Sequence, residues 1–337
     1  MRDFLAEAYP PLGKKLPKLS LADIPTPLTA HELTTSSGTY GMAVKHDELS
    51  NALYGGNKVR KLEYLLRRAA DRGAQRVATF GALGSNHALA TAIHAAELGL
   101  KCTCFLSHQD ITPKVTRALN MHQRLGTEIV HWRGRADQVP LCRQHLQDRK
   151  TWVIPLGGTC WLGALGFVNA GLELAAQIAN GDGEKPDRIY LACGTTGSAA
   201  GLALGLAAAR LDTVIHAVQV ADNPFASEAK MHKLIAKTES ILRRLDPGFI
   251  ADGWQERIKW RGEFLAGGYA RADDATTSAV EVAKAQLDLE LETTYTGKAF
   301  AALLHDLQAD QGNKNSFLFW NTYNAAPLPV SAGEAAL

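Results

Sequence analysis

The chain repeats one rhythm: a short β-branched run, a glycine-rich turn, then an Ala- and Leu-rich stretch. That rhythm marks βα units around a parallel sheet, because two parallel neighbours need a helical crossover between them. Arg76–Phe80 leads through Gly81-Ala-Leu-Gly84 into a helical pattern from His87 to Leu98. Lys101–Leu106 is the next strand, with a helix from Pro113 to Leu125, and Glu128–Trp132 begins a third unit. Thr151–Ile154 opens a fourth, entering Gly157-Gly158 and an apolar helix through Ile178. Beyond a polar surface turn at 180–187, Arg188–Ala192 reads as a strand, Cys193–Gly197 as a tight loop and Ser198–Arg210 as a helix. Thr213–Val220 is a further strand, Ala226–Leu245 and Asp273–Leu287 are helices, and Ser316–Trp320 is a late strand.

At about 150 residues per domain, a chain of 337 residues makes roughly two domains. Its Lys and Arg exceed Asp and Glu by only 36 to 34, which gives no broad electrostatic footprint for nucleic acid or an anionic membrane. The first ten residues do not read as a signal peptide, and no uncharged apolar stretch of about 18 residues is present to span a bilayer. Cys102, Cys104, Cys142, Cys160 and Cys193 are odd in number and never spaced C-x-x-C, and no H-E-x-x-H pair occurs. The expectation is a cytoplasmic protein with a small-molecule partner and no metal.

Three loops carry candidate chemistry. In Gly55-Gly56-Asn57-Lys58-Val59-Arg60-Lys61-Leu62, two glycines precede an amphipathic helix whose buried stripe is Leu62, Leu65, Leu66 and Ala69, with Asn57 as its N-cap. Lys58 then lies in the first turn, where the macrodipole disfavours an ammonium and lowers its pKa, although Lys58, Arg60 and Lys61 equally read as a solvated face. Gly84-Ser85-Asn86-His87 lies between a strand and a helix N-terminus, a place that suits a carboxylate, while Ser85 alone also reads as a plain helix cap. Gly194-Thr195-Thr196-Gly197-Ser198 sits in the same kind of position and suits a phosphate, but lacks the G-x-G-x-x-G of dinucleotide folds and the G-K-[ST] of a P-loop.

These loops, in this order and with Lys58 ahead of both others, resemble the fold-type-II pyridoxal-phosphate enzymes, in particular the D-cysteine desulfhydrase and aminocyclopropane-carboxylate deaminase family. The resemblance runs from Thr26-Pro27-Leu28 through the Gly-Gly-Asn-Lys-x-Arg-Lys-Leu-Glu-Tyr-Leu block, Leu162-Gly-Ala-Leu-Gly166 and Tyr295-Thr-Gly-Lys298 to the late strand. It implies two α/β domains with open, mostly parallel sheets of the tryptophan synthase β type. A small domain at 61–168 is inserted between the parts, 1–60 and 169–337, of a large coenzyme-binding one, and the chain is a homodimer. Lys58 matches the lysine that binds pyridoxal 5'-phosphate covalently, and Asn57 the amide at the coenzyme's phenolic oxygen. Gly194, Thr195, Thr196, Gly197 and Ser198 match the phosphate loop. Ser85, Asn86 and His87 fall at the substrate carboxylate, with Ser85 a candidate proton carrier, and Tyr269 and Tyr295 resemble the two active-site tyrosines.

The deaminase branch has Glu after the motif tyrosine and Gln after Ser-Asn; here Thr296 and His87 occupy those positions. Thr322 matches the threonine whose hydroxyl meets the ring nitrogen in the desulfhydrase branch. A neutral hydroxyl there leaves a weak electron sink, adequate for expelling a good β-leaving group but poor for opening an unactivated ring. The expected activity is therefore α,β-elimination from a small β-substituted amino acid, giving a 2-oxo acid and ammonia. Aminocyclopropane-carboxylate deamination is the enzymatic rival. A non-catalytic amino-acid sensor is suggested by Tyr323-Asn324 in place of Gly-Gly, and a nicotinamide oxidoreductase rests only on the βα pattern and Asp222 after a strand.

Overall fold

The computed structural model describes residues 2–133, 140, 150–309, 315–324 and 327–328. Two sheets organise these residues. The larger has six strands in the order β1 (Leu28–Thr35), β2 (Gly38–His46), β10 (Phe317–Asn321), β7 (Arg188–Cys193), β8 (Val214–Gln219) and β9 (Ile258–Arg261). The smaller has four, β5 (Glu128–His131), β4 (Lys101–Ser107), β3 (Arg76–Ala82) and β6 (Thr151–Val153). Every pairing is parallel except the β1–β2 hairpin. Central strands covered on both faces read as continuous apolar runs, and Ile189–Cys193 and Phe317–Asn321 are buried throughout.

The rhythm of the sequence is realised as an α/β architecture, with most strands and helices beginning and ending within two residues of the expected positions. The helix expected from Ala226 starts instead at Glu228, because the Ser227 hydroxyl caps it by accepting the Lys230 N–H. Among the described residues, the strands β1, β2 and β9 and the helices Phe4–Ala8, Pro10–Lys15 and Thr296–Ala309 were not anticipated. Cys102, Cys104, Cys160 and Cys193 are free, and Cys142 lies outside the described residues.

The helix Trp161–Ala179 runs between the two sheet systems, packing on Asn57–Asp71 and on Gly197–Ala208. It is the one helix of the described residues long and apolar enough to cross a membrane, yet 78% of its most apolar stretch is buried inside the protein and it carries Glu173. Its small residues explain the close packing. A methyl on Gly171 would fall 2.8 Å from the backbone of Gly205 in the neighbouring helix, so only glycine fits there.

Candidate active site

The loops at the carboxyl ends of the parallel strands from both sheets line one cavity of about 720 Å³, the usual place for a ligand in open α/β sheets. All the residues singled out from the sequence line it: Asn57, Lys58, Ser85, Asn86, His87, Gly194, Thr195, Thr196, Gly197, Ser198, Tyr269, Tyr295 and Thr322.

Lys58 enters from the helix Asn57–Asp71, whose Leu62, Leu65, Leu66 and Ala69 are buried as expected. The N-cap is Gly56 rather than Asn57. Gly56 sits at φ +90°, and a Cβ there would lie 2.9 Å from the Thr322 carbonyl, so a side chain is excluded. Asn57 is thereby released from capping. Its N–H donates to that carbonyl, its side-chain amide donates to Ser198 Oγ at 3.0 Å, and its Oδ1 accepts from Lys58 Nζ at 2.7 Å. Burial lowers the Lys58 amine from the usual 10.5 to about 8. The direction is the one expected, but desolvation is the larger cause.

Arg60 and Lys61 do not form a solvated face. Both are 1% exposed. Arg60 joins Asp47, Glu173 and Lys45 in a dry cluster behind the helix, with Arg60 to Asp47 at 2.7 Å, Arg60 to Glu173 at 2.7 Å and Lys45 to Glu173 at 2.6 Å. Buried charges persist only when paired in this way. Lys61 points instead toward the glycine-rich loop, donating to the Gly157 carbonyl at 3.3 Å, and burial and then Lys58 push its pKa well down.

The Gly194-Thr195-Thr196 loop, next to Lys61 as well, connects β7 to the helix Gly197–Ala208, whose first amides have no acceptor one turn earlier. Thr196 holds the left-handed conformation at φ 73°, and its Oγ1 is buried with no partner. A methyl on Gly197 would fall 2.9 Å from Lys61 Nζ and 3.0 Å from Thr159 Oγ1, which itself lies 2.6 Å from Thr195 Oγ1. Amides, hydroxyls and the Lys61 amine thus converge on a space that a single Cβ would fill, and a second buried amine of lowered pKa, Lys58, stands in the same cavity. Pyridoxal phosphate fits this donor set: its phosphate is matched by the loop and Lys61, and its aldehyde by Lys58.

Ser85 both caps the helix Asn86–Glu97, accepting the Ala88 N–H at 3.2 Å, and faces the cavity. The cap uses a lone pair and leaves the hydroxyl hydrogen to donate elsewhere. The Gly84 N–H is taken by Gln109 Oε1 at 3.0 Å. His87 is 3% exposed, shares a hydrogen with Thr79 Oγ1 at 2.9 Å, and is held well below its usual pKa by burial and then by Lys58 and Lys61. It is a neutral imidazole.

The two tyrosines meet, with Tyr269 Oη 2.6 Å from Tyr295 Oη. Burial raises both phenols, so both keep their protons near neutrality. Asp222, the residue behind the oxidoreductase reading, accepts the Tyr269 N–H at 3.0 Å and so braces this wall of the cavity. Glu292 accepts the Thr294, Tyr295 and Thr296 N–H groups and, at 3.3 Å, Lys114 Nζ. Lys114 also lies 4.8 Å from the centre of the Tyr323 ring. Lys61, Thr159 and Glu292 were not singled out as site residues. Only for Lys61 was a signal present, because a residue three positions after Lys58 on a helix shares its face.

Comparison with known proteins bears on this geometry. A family model described as "Pyridoxal-phosphate dependent enzyme" matches residues 19–321. D-cysteine desulfhydrase of Salmonella newport is 32% identical over 324 residues, covering 93% of this chain and 96% of that protein. A solved structure of an ACC deaminase homologue superposes with a TM-score of 0.78 at 27% identity, covering 96% of this chain and 95% of the other. A hydrogen sulfide-producing enzyme of Fusobacterium nucleatum shares the fold at 16% identity, with a TM-score of 0.62 and coverage of 89% and 95%. The family match spans both sheets, Lys58, the 194–198 loop, Tyr269 and Tyr295, and the chain belongs to the pyridoxal-phosphate dependent enzymes.

Proposed function

We propose that the protein is a lyase acting as D-cysteine desulfhydrase does, eliminating the β-substituent of a small amino acid and releasing a 2-oxo acid and ammonia. One observation carries the reading: an amine lowered to about 8 shares a cavity with a Ser-Asn-His turn and a hydrogen-bonded pair of neutral tyrosines. The bound coenzyme supplies the electron sink for the substrate's α-carbon. Lys58 Nζ takes the α-proton, which a neutral amine accepts and an ammonium cannot. Ser85, Asn86 and His87 hold the substrate carboxylate, with Ser85 able to pass a proton. Tyr295 or Tyr269 protonates the departing β-group. Lys61 and the 194–198 loop hold the phosphate, Asn57 the phenolic oxygen and Thr322 the ring nitrogen. With D-cysteine and water the products are pyruvate, sulfide and ammonia.

Residue 296 argues against ring-opening deamination. No carboxylate stands there, and the nearby Glu292 spends both oxygens on three backbone N–H groups and Lys114. The same reading includes a homodimer located in the cytoplasm, with residues 61–168 as the inserted small domain. The decisive experiment supplies the coenzyme to purified protein and assays β-substituted D- and L-amino acids beside aminocyclopropane carboxylate, detecting 2-oxo acid and ammonia. Turnover of the β-substituted panel is expected. Turnover of the cyclopropane alone overturns the elimination reading, and binding without any turnover replaces it with a sensor. Light scattering of the same sample reads the oligomeric state.

A further inference from the structure

Tyr269 sits in an awkward stretch of backbone. Ala266, Gly267, Gly268 and Ala270 all have positive φ, at 54°, 77°, 138° and 58°, and two of the four are alanines, for which this region is unfavourable. The segment's own turn hydrogen bonds are long: Leu265 N–H to the Gly262 carbonyl at 3.3 Å, Gly268 N–H to Leu265 at 3.3 Å and Arg271 N–H to Gly268 at 3.4 Å. Such a loop does not hold a phenol in place unaided. Something outside it must fix its shape.

Lys298 supplies that hold. It is fully buried in the first turn of the helix Thr296–Ala309, and its ammonium donates to the Leu265 carbonyl at 2.6 Å and the Gly268 carbonyl at 2.9 Å, both shorter than the loop's internal bonds. A cation in the first turn of a helix opposes the macrodipole, so the helix itself gains nothing from it. Asp222 anchors the other side of the loop through the Tyr269 N–H. The same helix also follows directly on Tyr295, whose N–H is held by Glu292 at 2.8 Å. One rigid turn therefore places Tyr295 and ties down the loop bearing its partner.

We propose that Lys298 is a positioning residue: by clamping the Leu265 and Gly268 carbonyls it sets the 2.6 Å contact between Tyr269 and Tyr295. The proposal rests on the reading of these tyrosines as the proton donors of the elimination. The test compares the coenzyme-loaded protein with Lys298→Met, Lys298→Arg and Lys298→Gln, each alone and combined with Tyr269→Phe. Hydrogen exchange of a peptide spanning the loop is read beside kcat and KM on D-cysteine.

In Lys298→Met, loop exchange is expected to rise about tenfold or more while peptides of β7 and β10 are unchanged. In the same variant kcat should fall about tenfold with little change in KM, and adding Tyr269→Phe should cost nothing further. Arg, which keeps the charge and donors, restores part of the loss. Gln, a milder change that keeps a polar end, gives an intermediate result and keeps the test open should Met fail to fold. Unchanged loop exchange, or full multiplication of the Lys298 and Tyr269 effects, overturns the proposal. Full activity in Tyr269→Phe and Tyr295→Phe overturns the underlying reading of the tyrosines instead, and loop exchange then still decides whether Lys298 holds the loop.

Discussion

In the proposed mechanism Lys58 owes its reactivity to surroundings that desolvate it while leaving it the 2.7 Å bond to Asn57. An amine attacks an aldehyde only when neutral, and below its pKa the neutral fraction rises about tenfold per pH unit. With the pKa at about 8, the rate at which the apoprotein takes up coenzyme should climb with pH and level off past about 8. An unburied lysine would still be climbing at pH 9. Stopped-flow absorbance measures the rate, and Lys58→Ala should trap no coenzyme with borohydride. The residue itself was legible because lysine after Gly-Gly-Asn at a helix start is specific. The depth of its burial was not, since it depends on the cavity walls around Cys193 and Glu292, far away in sequence. Arg60 and Lys61 teach the same lesson, because two adjacent cations on a helix read as solvated until their distant partners are seen.

Among the elements, the helix bearing Lys58 is secured from behind by a charge cluster that ties it to β2 and to Trp161–Ala179. Burial alone would raise Glu173, but Arg60 and then Lys45 more than offset this and bring it from 4.5 to about 2. A carboxylate with a depressed folded pKa contributes stability above its unfolded value and loses it as the pH falls. For Glu173 the loss runs between about 4.5 and about 2 and amounts to about 3 kcal/mol. Glu173→Gln should therefore destabilise the apoprotein by about 3 kcal/mol at neutral pH, since it leaves two buried cations, Arg60 and Lys45, with Asp47 as the cluster's one remaining carboxylate. Its stability should also fall less steeply with acid than that of the unaltered protein. Urea unfolding at several pH values checks both. Parallel strands with apolar runs were readable in the sequence, whereas the β1–β2 hairpin was not. Its outer strand, Leu28–Thr35, is polar and mostly half-exposed, and lacks the alternation that marks a strand with one buried face.

Across the whole molecule, the cavity lies where the two sheets present their strand ends, and Lys114 bridges the two sheet systems through two residues of its wall. Lys114, from the helix after β4, reaches Glu292 and the Tyr323 ring, which belong to the other sheet system. Lys114→Ala should raise KM about threefold to tenfold with a smaller effect on kcat, the size expected for a partly exposed ion pair plus a cation–π contact. The unaltered protein should also show the greater sensitivity of KM to salt. Tyr323 was visible in the sequence as a departure from Gly-Gly, but its partner lies about two hundred positions earlier and no local pattern connects them.

The strand order has a temporal consequence. β10, the last strand among the described residues, sits in the interior of its sheet between β2 and β7, and the residue just beyond it meets Asn57 through a backbone hydrogen bond. A nascent polypeptide emerging from the ribosome therefore has Lys58 early but lacks the middle of the sheet until Phe317–Asn321 has followed. Vitamin capture must wait for β10, and a product stopped before it should be cleared by proteases rather than persist as a partial catalyst.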